Sequence, residues 1–316
     1  MTDDGQNRAA VPSTMHAIRL HAPGGPEELV FEEVETPRPE AGEALVRVHA
    51  AAITRNELEW PVDRLPAIPS YELSGVVADV APDVDGVEIG ESVYGLTGFD
   101  RAGAAAEYIV VRANVLAAKP RTLGHVESAA IPLAALSAWQ GLFDHGRLEE
   151  GQRVLIHGAS GGVGHFATQL ARWRGAHVIG TASSAKVESV WKYGAHEVLD
   201  HGNTRFGQAL DPVDLVFDTV GGELLERSPA VVRTGGRLVS VASEPPQISA
   251  QAKITAVYFV VEPNREQLVE LARLVDRGDV RPAIDSVFPL AEARTAFERS
   301  MAHGTRGKVV FRVADD

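Results

Sequence analysis

The sequence predicts an α/β protein in two parts, a β-rich barrel-like unit followed by a doubly wound parallel sheet. Three observations carry this expectation. Short alternating apolar runs, broken by turn-forming residues, fill the first third. From Arg153 onward, strand-like and helix-like segments alternate. The 316 residues, 45% of them hydrophobic, are enough for two packed cores.

In the first third, residues 44–50 (Ala-Leu-Val-Arg-Val-His-Ala) alternate with a period near two, as a half-buried strand does. Residues 73–80 and 106–111 are similar, and Pro82-Asp83-Val84-Asp85-Gly86 and Thr97-Gly98-Phe99-Asp100 mark turns. In the middle, strand 153–157 precedes a glycine-rich turn and a helix with Val163, Phe166, Ala167, Leu170 and Ala171 on its apolar face. Strand 177–182, a helical stretch 185–193, and strands 197–199, 215–217 and 237–241 continue the alternation, which requires a parallel sheet with helices on both faces. Strand 254–260 and an amphipathic helix 265–277 (Leu268, Leu271, Ala272, Val275) come next, and 287–313 reads strand, helix, strand. The expected division is a disordered leader 1–14, a first domain 15–123, a sheet domain 124–262, and a segment 263–316 that returns to the first domain.

Composition excludes several functions. The net charge of -13 argues against a general nucleic-acid surface. With no cysteine, disulfides, thiolate nucleophiles and cysteine-ligated metals are ruled out. No apolar run approaches the ~18 residues of a membrane span. The polar start, with Asp3 and Asp4, lacks the form of a signal peptide, so a cytoplasmic protein is expected. Histidines such as His16, His21, His49, His157 and His165 are scattered and read as surface or packing residues.

The strongest motif is Gly158-Ala159-Ser160-Gly161-Gly162-Val163-Gly164, between a strand and a helix. Ala159, Gly161 and Gly164 take the three small positions of a dinucleotide fingerprint: tight turn, close backbone approach to a pyrophosphate, and close helix packing. The helix start would present N–H groups to the phosphates. At the end of the second strand an Asp or Glu would bind the ribose of NAD; this chain has Thr181, Ala182, Ser183 and Ser184, with Lys186 beyond. Neutral hydroxyls and a cation suit a 2′-phosphate, so NADPH is expected, with Tyr193 nearby. Equally, Ser183 could serve as a helix cap and Lys186 as a solvated side chain.

The sequence resembles the zinc-free branch of the medium-chain dehydrogenase/reductases, the quinone oxidoreductase group. The markers are residues 37–43 (Pro-Arg-Pro-Glu-Ala-Gly-Glu), 71–77 (Tyr-Glu-Leu-Ser-Gly-Val-Val), the glycine turn, 218–222 (Asp-Thr-Val-Gly-Gly) and 306–310 (Arg-Gly-Lys-Val-Val). The resemblance implies a GroES-like domain, into which a Rossmann domain is inserted, with the site in the cleft. Zinc-binding positions of the family fall on Thr54, Tyr71 and the region 132–134, a poor ligand set, so no metal is expected. The implied chemistry is hydride transfer to a quinone or an α,β-unsaturated carbonyl. Thr54, where relatives carry Asn, and Tyr71 are the candidate polarising residues. Asn56 and Trp60 are candidate substrate contacts, Arg55 is nearby, and Glu57 is a structural carboxylate. Trp60 and Tyr71 could equally be packing residues. Thr219, Val220, Ser240, Val241 and Ala242 should flank the cofactor, and Phe259, Val260 and Val261 should approach the carboxamide. The same strand should pair across a homodimer. An enoyl-thioester reductase and a weakly catalytic NADPH-binding redox sensor are the alternatives.

Overall fold

The structure is a computed structural model that describes residues 11–61, 65–200, 210–302 and 304–315. The expected leader falls largely on residues 1–10, outside the described residues, and the chain is already in a strand at Thr14.

Strands β1 (Thr14–Leu20) and β2 (Leu29–Glu35) form an antiparallel ribbon. Next come β3 (Glu43–Ile53), β4 (Glu72–Val80), β5 (Ser92–Leu96), β6 (Tyr108–Arg112) and β7 (Leu116–Ala118). The tail adds β14 (Ile284–Pro289) and β15 (Lys308–Arg312) to the same sheet, in the order β14-β15-β3-β4-β5-β7, with β6 also on β3. Of the segment 263–316 expected to return to the first unit, β14 and β15 lie in its sheet, with β15 antiparallel to β3, whereas the helix Arg265–Arg277 packs on the core of the second unit. Alternation predicted a half-buried β3, but only Arg47 is exposed. The tail helix Ala293–Met301 and Leu290 cover one face, with Phe297 packed in a cluster that includes Val46, Val48 and Ile53. Ala50 and Ala52 meet Ala129, Ala130 and Val310 on the other. Small side chains there let a helix and a strand approach closely.

The second sheet is β8 (Arg153–Ile156), β9 (His177–Ala182), β10 (Glu197–Asp200), β11 (Val213–Asp218), β12 (Val232–Ser240) and β13 (Thr255–Tyr258). Its order is β10-β9-β8-β11-β12-β13, with all pairs parallel. The strand order reverses between β8 and β11, and ligands bind outside the carboxyl ends at such a point. Residues 237–241 read as a short strand, yet β12 runs nine residues, because Gly235, at φ 80°, and Gly236 lie within it beside an irregularity in its pairing with β11.

Helix Arg265–Arg277 starts at Asn264, whose side chain accepts from Gln267 N (3.0 Å), and ends at Gly278, at φ 82°. Its Leu268, Leu271, Ala272, Leu274 and Val275 enter the core that holds Phe166, Leu170 and Phe217. Each such burial is worth roughly 1.5–3 kcal/mol for the larger side chains. The helix also joins the two units: the buried Tyr94 hydroxyl on β5 donates to Leu268 O. The stretch 185–193 is less helical than expected, a 3-10 turn Ser184–Lys186 followed by helix Val187–Lys192, and Ser183 makes no side-chain cap.

Candidate active site

The glycine turn lies at the carboxyl end of β8, at the reversal point. Gly158 has φ 68°, in the left-handed region open to glycine. Gly164 opens helix Gly164–Trp173, and a Cβ on it would stand 2.0 Å from Gly158 O, so no other residue closes this turn. Thr181 faces inward. It is buried, and its hydroxyl accepts from Gly158 N (3.2 Å) beside His157. Ala159 N donates to Thr181 O, which locks the turn to β9. His165 fixes the far side: its ring lies 2.9 Å from Gly161 O and accepts from Ala283 N at 3.1 Å. Burial lowers its pKa to about 4, so the ring is neutral.

Asp218, fully buried, organises the next two loops. Its carboxylate accepts from Val220 N, Gly221 N and Ser240 Oγ (2.8 Å). Ser240 Oγ in turn accepts from Ala242 N and Ser243 N. The ends of β11 and β12 are thereby brought together, with Val220 left projecting at 52% exposure. Thr219 Oγ1 donates to His157 O (2.8 Å), which ties this loop to the glycine turn. Past β13, Phe259 N donates to Ser240 O; Phe259 and Val261 are buried and Val260 is exposed.

Facing the glycine turn from the first sheet is a buried charge cluster. Lys308, only 4% exposed, pairs with fully buried Glu72 and donates to Thr54 Oγ1 (3.3 Å). Its stem passes Gly162, where a Cβ would meet Lys308 Cδ at 3.3 Å. Glu72 also accepts from Leu133 N (2.9 Å) in the first turn of helix Pro132–Trp139, and burial pushes its pKa up, with Lys308 opposing. Glu57 accepts from Thr54 N (3.0 Å) and Ser70 N (3.1 Å), which staples the turn after β3 to the start of β4. Burial raises it to about 8, against the pull of those bonds and of Lys308. The sequence thus marks Glu57 as structural and misses Lys308 and Glu72 as site residues. A lone lysine inside the apolar run Lys308-Val309-Val310-Phe311 was the available signal.

Tyr71 is buried against Trp60 (centroids 5.9 Å) and Phe99 (5.1 Å), and Trp60 meets Phe99 edge-on at 5.4 Å. Trp60 and Phe99 are half-buried, and they form a wall packed on the main core. Asn56 is exposed at φ 62° in the turn before Glu57. At the end of β9, Ser184 Oγ donates to Asp200, while Lys186 Nζ, half-buried, donates to Thr305 O. Lys186 is therefore not a solvated side chain. Tyr193 is half-buried beside His165 (5.6 Å), on the helix-facing side of the turn.

A dinucleotide fits this arrangement, because Gly161 and Gly162 have no side chains to obstruct its approach and the loops around the turn are braced. A zinc ion does not fit the positions the family uses: Thr54 is a hydroxyl bound by Lys308, Tyr71 lies in the aromatic cluster, and 132–134 is Pro-Leu-Ala in a helix.

Residues 40–121 match the family model of the alcohol dehydrogenase GroES-like domain, and 193–311 match that of the zinc-binding dehydrogenases. The chain is 32% identical to a probable zinc-binding oxidoreductase of Arthroderma benhamiae, over 96% of this chain and 98% of that protein. It belongs to the medium-chain dehydrogenase/reductase family. Among its members, the mouse quinone oxidoreductase is 30% identical over 94% of this chain and 97% of its own length. The tomato 2-methylene-furan-3-one reductase is 32% identical over 95% and 80%. A solved quinone oxidoreductase from Coxiella burnetii superposes with a TM-score of 0.88 at 32% identity, covering 95% of this chain and 99% of that one. The family assignment makes the protein an NAD(P)H-dependent oxidoreductase with a GroES-like sheet and a Rossmann sheet. Some relatives are named as mitochondrial or chloroplastic. No helix among the described residues is long and apolar enough to cross a membrane.

Proposed function

We propose that the protein is an NADPH-dependent reductase that delivers hydride to a quinone or an α,β-unsaturated carbonyl without a metal. The observation that carries this reading is the Lys308–Thr54 pair. At the cleft position where a metal would polarise an alcohol, the chain offers a hydroxyl held by a buried ammonium. Such a donor pair stabilises negative charge that develops on an oxygen, but it is a weak substitute for a Lewis acid in alcohol oxidation. Acceptors that are already electrophilic need only the former. Relatives named as quinone and enone-type reductases support the substrate class.

In this reading, the glycine turn and the first turn of its helix bind the pyrophosphate. The loops organised by Asp218 and Ser240 orient the nicotinamide ribose, and the backbone at 259–261 meets the carboxamide. When bound, the cofactor supplies the hydride. Thr54 donates to the acceptor oxygen, Lys308 supports Thr54, and Trp60, Tyr71 and Phe99 exclude water. The exposed edge β13, with Thr255, Ala256 and Tyr258 open to solvent, supports pairing with a second copy. The test is NADPH oxidation against a panel of quinones, enones and enoyl thioesters, with and without chelator. Turnover of the first two classes that chelator leaves unchanged is expected. Tight NADPH binding with turnover of none would make the protein a sensor.

A further inference from the structure

The loop after β9 is met across the cleft by the C-terminal segment. Lys186 Nζ donates to Thr305 O, and Arg306 Nη2 donates to Ala185 O at 2.8 Å. Arg55, in the turn after β3, donates to Met301 O (2.9 Å) at the end of helix Ala293–Met301. Arg299 on that helix is neutralised, with its guanidinium on both oxygens of Asp285 (2.7 Å each). Lys186, Arg55 and Arg306 are not: among the described residues, none has a carboxylate at ion-pair distance. Burial, then Arg306, then Arg55, lower the pKa of Lys186, and Asp285 opposes them. In a chain of net charge -13, three cations whose side chains bond carbonyl oxygens, while Asp285 holds the Arg306 backbone N–H, form a preset anion site.

Its position says which anion. In a sheet of this order, the adenosine ribose of a dinucleotide rests at the end of the second strand, here β9. We infer that Arg306, supported by Arg55 and Lys186, forms the outer jaw of a 2′-phosphate pocket, so that cofactor choice is set by the C-terminal segment as much as by the Rossmann loop. This rests on the NADPH reading above. A guanidinium that gives one N–H to Ala185 O keeps others for phosphate oxygens. Asp200, beside Ser184, works against the site; Asp285 and Glu188 also feel these cations, but their charges are taken up by Arg299 and Lys192.

The test is calorimetric titration of the full chain with NADPH, NADH, 2′,5′-ADP and 5′-AMP. Arg306→Glu should weaken NADPH and 2′,5′-ADP by about 10- to 100-fold and leave NADH and 5′-AMP within about twofold. Arg306→Lys should recover most of the loss, and Arg55→Ala should give a smaller loss of the same pattern. The parent itself gives a second measurement: its affinity for 2′,5′-ADP should fall more steeply with salt than its affinity for 5′-AMP. Equal losses for both cofactors, no change in Arg306→Glu, or matching salt slopes would overturn the inference. If the parent prefers NADPH and Arg306→Glu prefers it by the same factor, the inference alone fails. A parent that binds neither dinucleotide defeats the functional reading as well.

Discussion

The ammonium of Lys308, on β15, reaches Thr54 Oγ1, at the end of β3, at 3.3 Å. These residues are 254 positions apart in sequence, and antiparallel pairing of their strands brings them together, with Val309 opposite Ile53. The cleft hydroxyl is therefore oriented by a strand that joins the first sheet only when the chain closes.

Lys308→Met should destabilise the protein by about 3–5 kcal/mol, because it leaves Glu72 buried and uncompensated. Glu72→Gln combined with Lys308→Met should recover a large part of that. Urea unfolding of the three proteins checks this. If the double variant is no better than the single, the cost does not come from the stranded carboxylate.

Glu57 sets a pH dependence. Its pKa is raised from 4.5 to about 8, so the folded state keeps a proton that the unfolded chain has released. The sign follows: this contribution to stability is full below about pH 4.5 and is lost as pH rises through about 8. His165, lowered to about 4 from 6.5, opposes it at acid pH, because its contribution is lost as pH falls. Between about pH 6.5 and 8 the His165 effect is absent, and Glu57 should contribute roughly 1.4 kcal/mol per pH unit, with Glu72, also raised by burial, adding a slope of the same sign that Glu57→Gln leaves in place. Unfolding free energies across that window should slope downward in the parent and less steeply in Glu57→Gln. Parallel slopes would show that Glu57 is ionised throughout.

Much of this was legible in sequence. The glycine turn could be read because backbone geometry restricts which residues fit, and β-α alternation is a local pattern. The cluster of Lys308, Glu72 and Glu57 was not, because its members come from three strands or turns and mark themselves only by burial. Asp218 was noted as a marker, but its work depends on Ser240 from the next strand. Asp200 is silent in sequence, because a carboxylate ending the third strand, not the second, carries no fingerprint.

Asp218→Asn should weaken NADPH binding by about tenfold and cost about 1–3 kcal/mol in stability. An amide cannot accept from Val220 N with one of its polar atoms and from Ser240 Oγ with the other, because one of the two is an NH2 donor. Fluorescence titration and thermal unfolding measure the two effects, and binding unchanged by the substitution would remove the 218–222 loop from the site.

Asp200→Asn should tighten NADPH by about three- to tenfold, by removing a charge that repels phosphate, with little change for NADH. Equal tightening for both cofactors would place the carboxylate near a group they share.

Tyr258→Asp on β13 should shift the protein toward monomer in sedimentation, if two copies pair along that edge. An unchanged sedimentation coefficient would move the contact elsewhere.

The most direct measurement of the central claim is isotope transfer. Chelator-treated protein is given NADPH carrying deuterium at both C4 positions with an enone, and the product is read by mass spectrometry. One deuterium at the β-carbon, at a rate that chelator does not alter, is the expected result. An unlabelled product, or turnover that chelator abolishes and zinc restores, would contradict metal-free hydride delivery from this cleft.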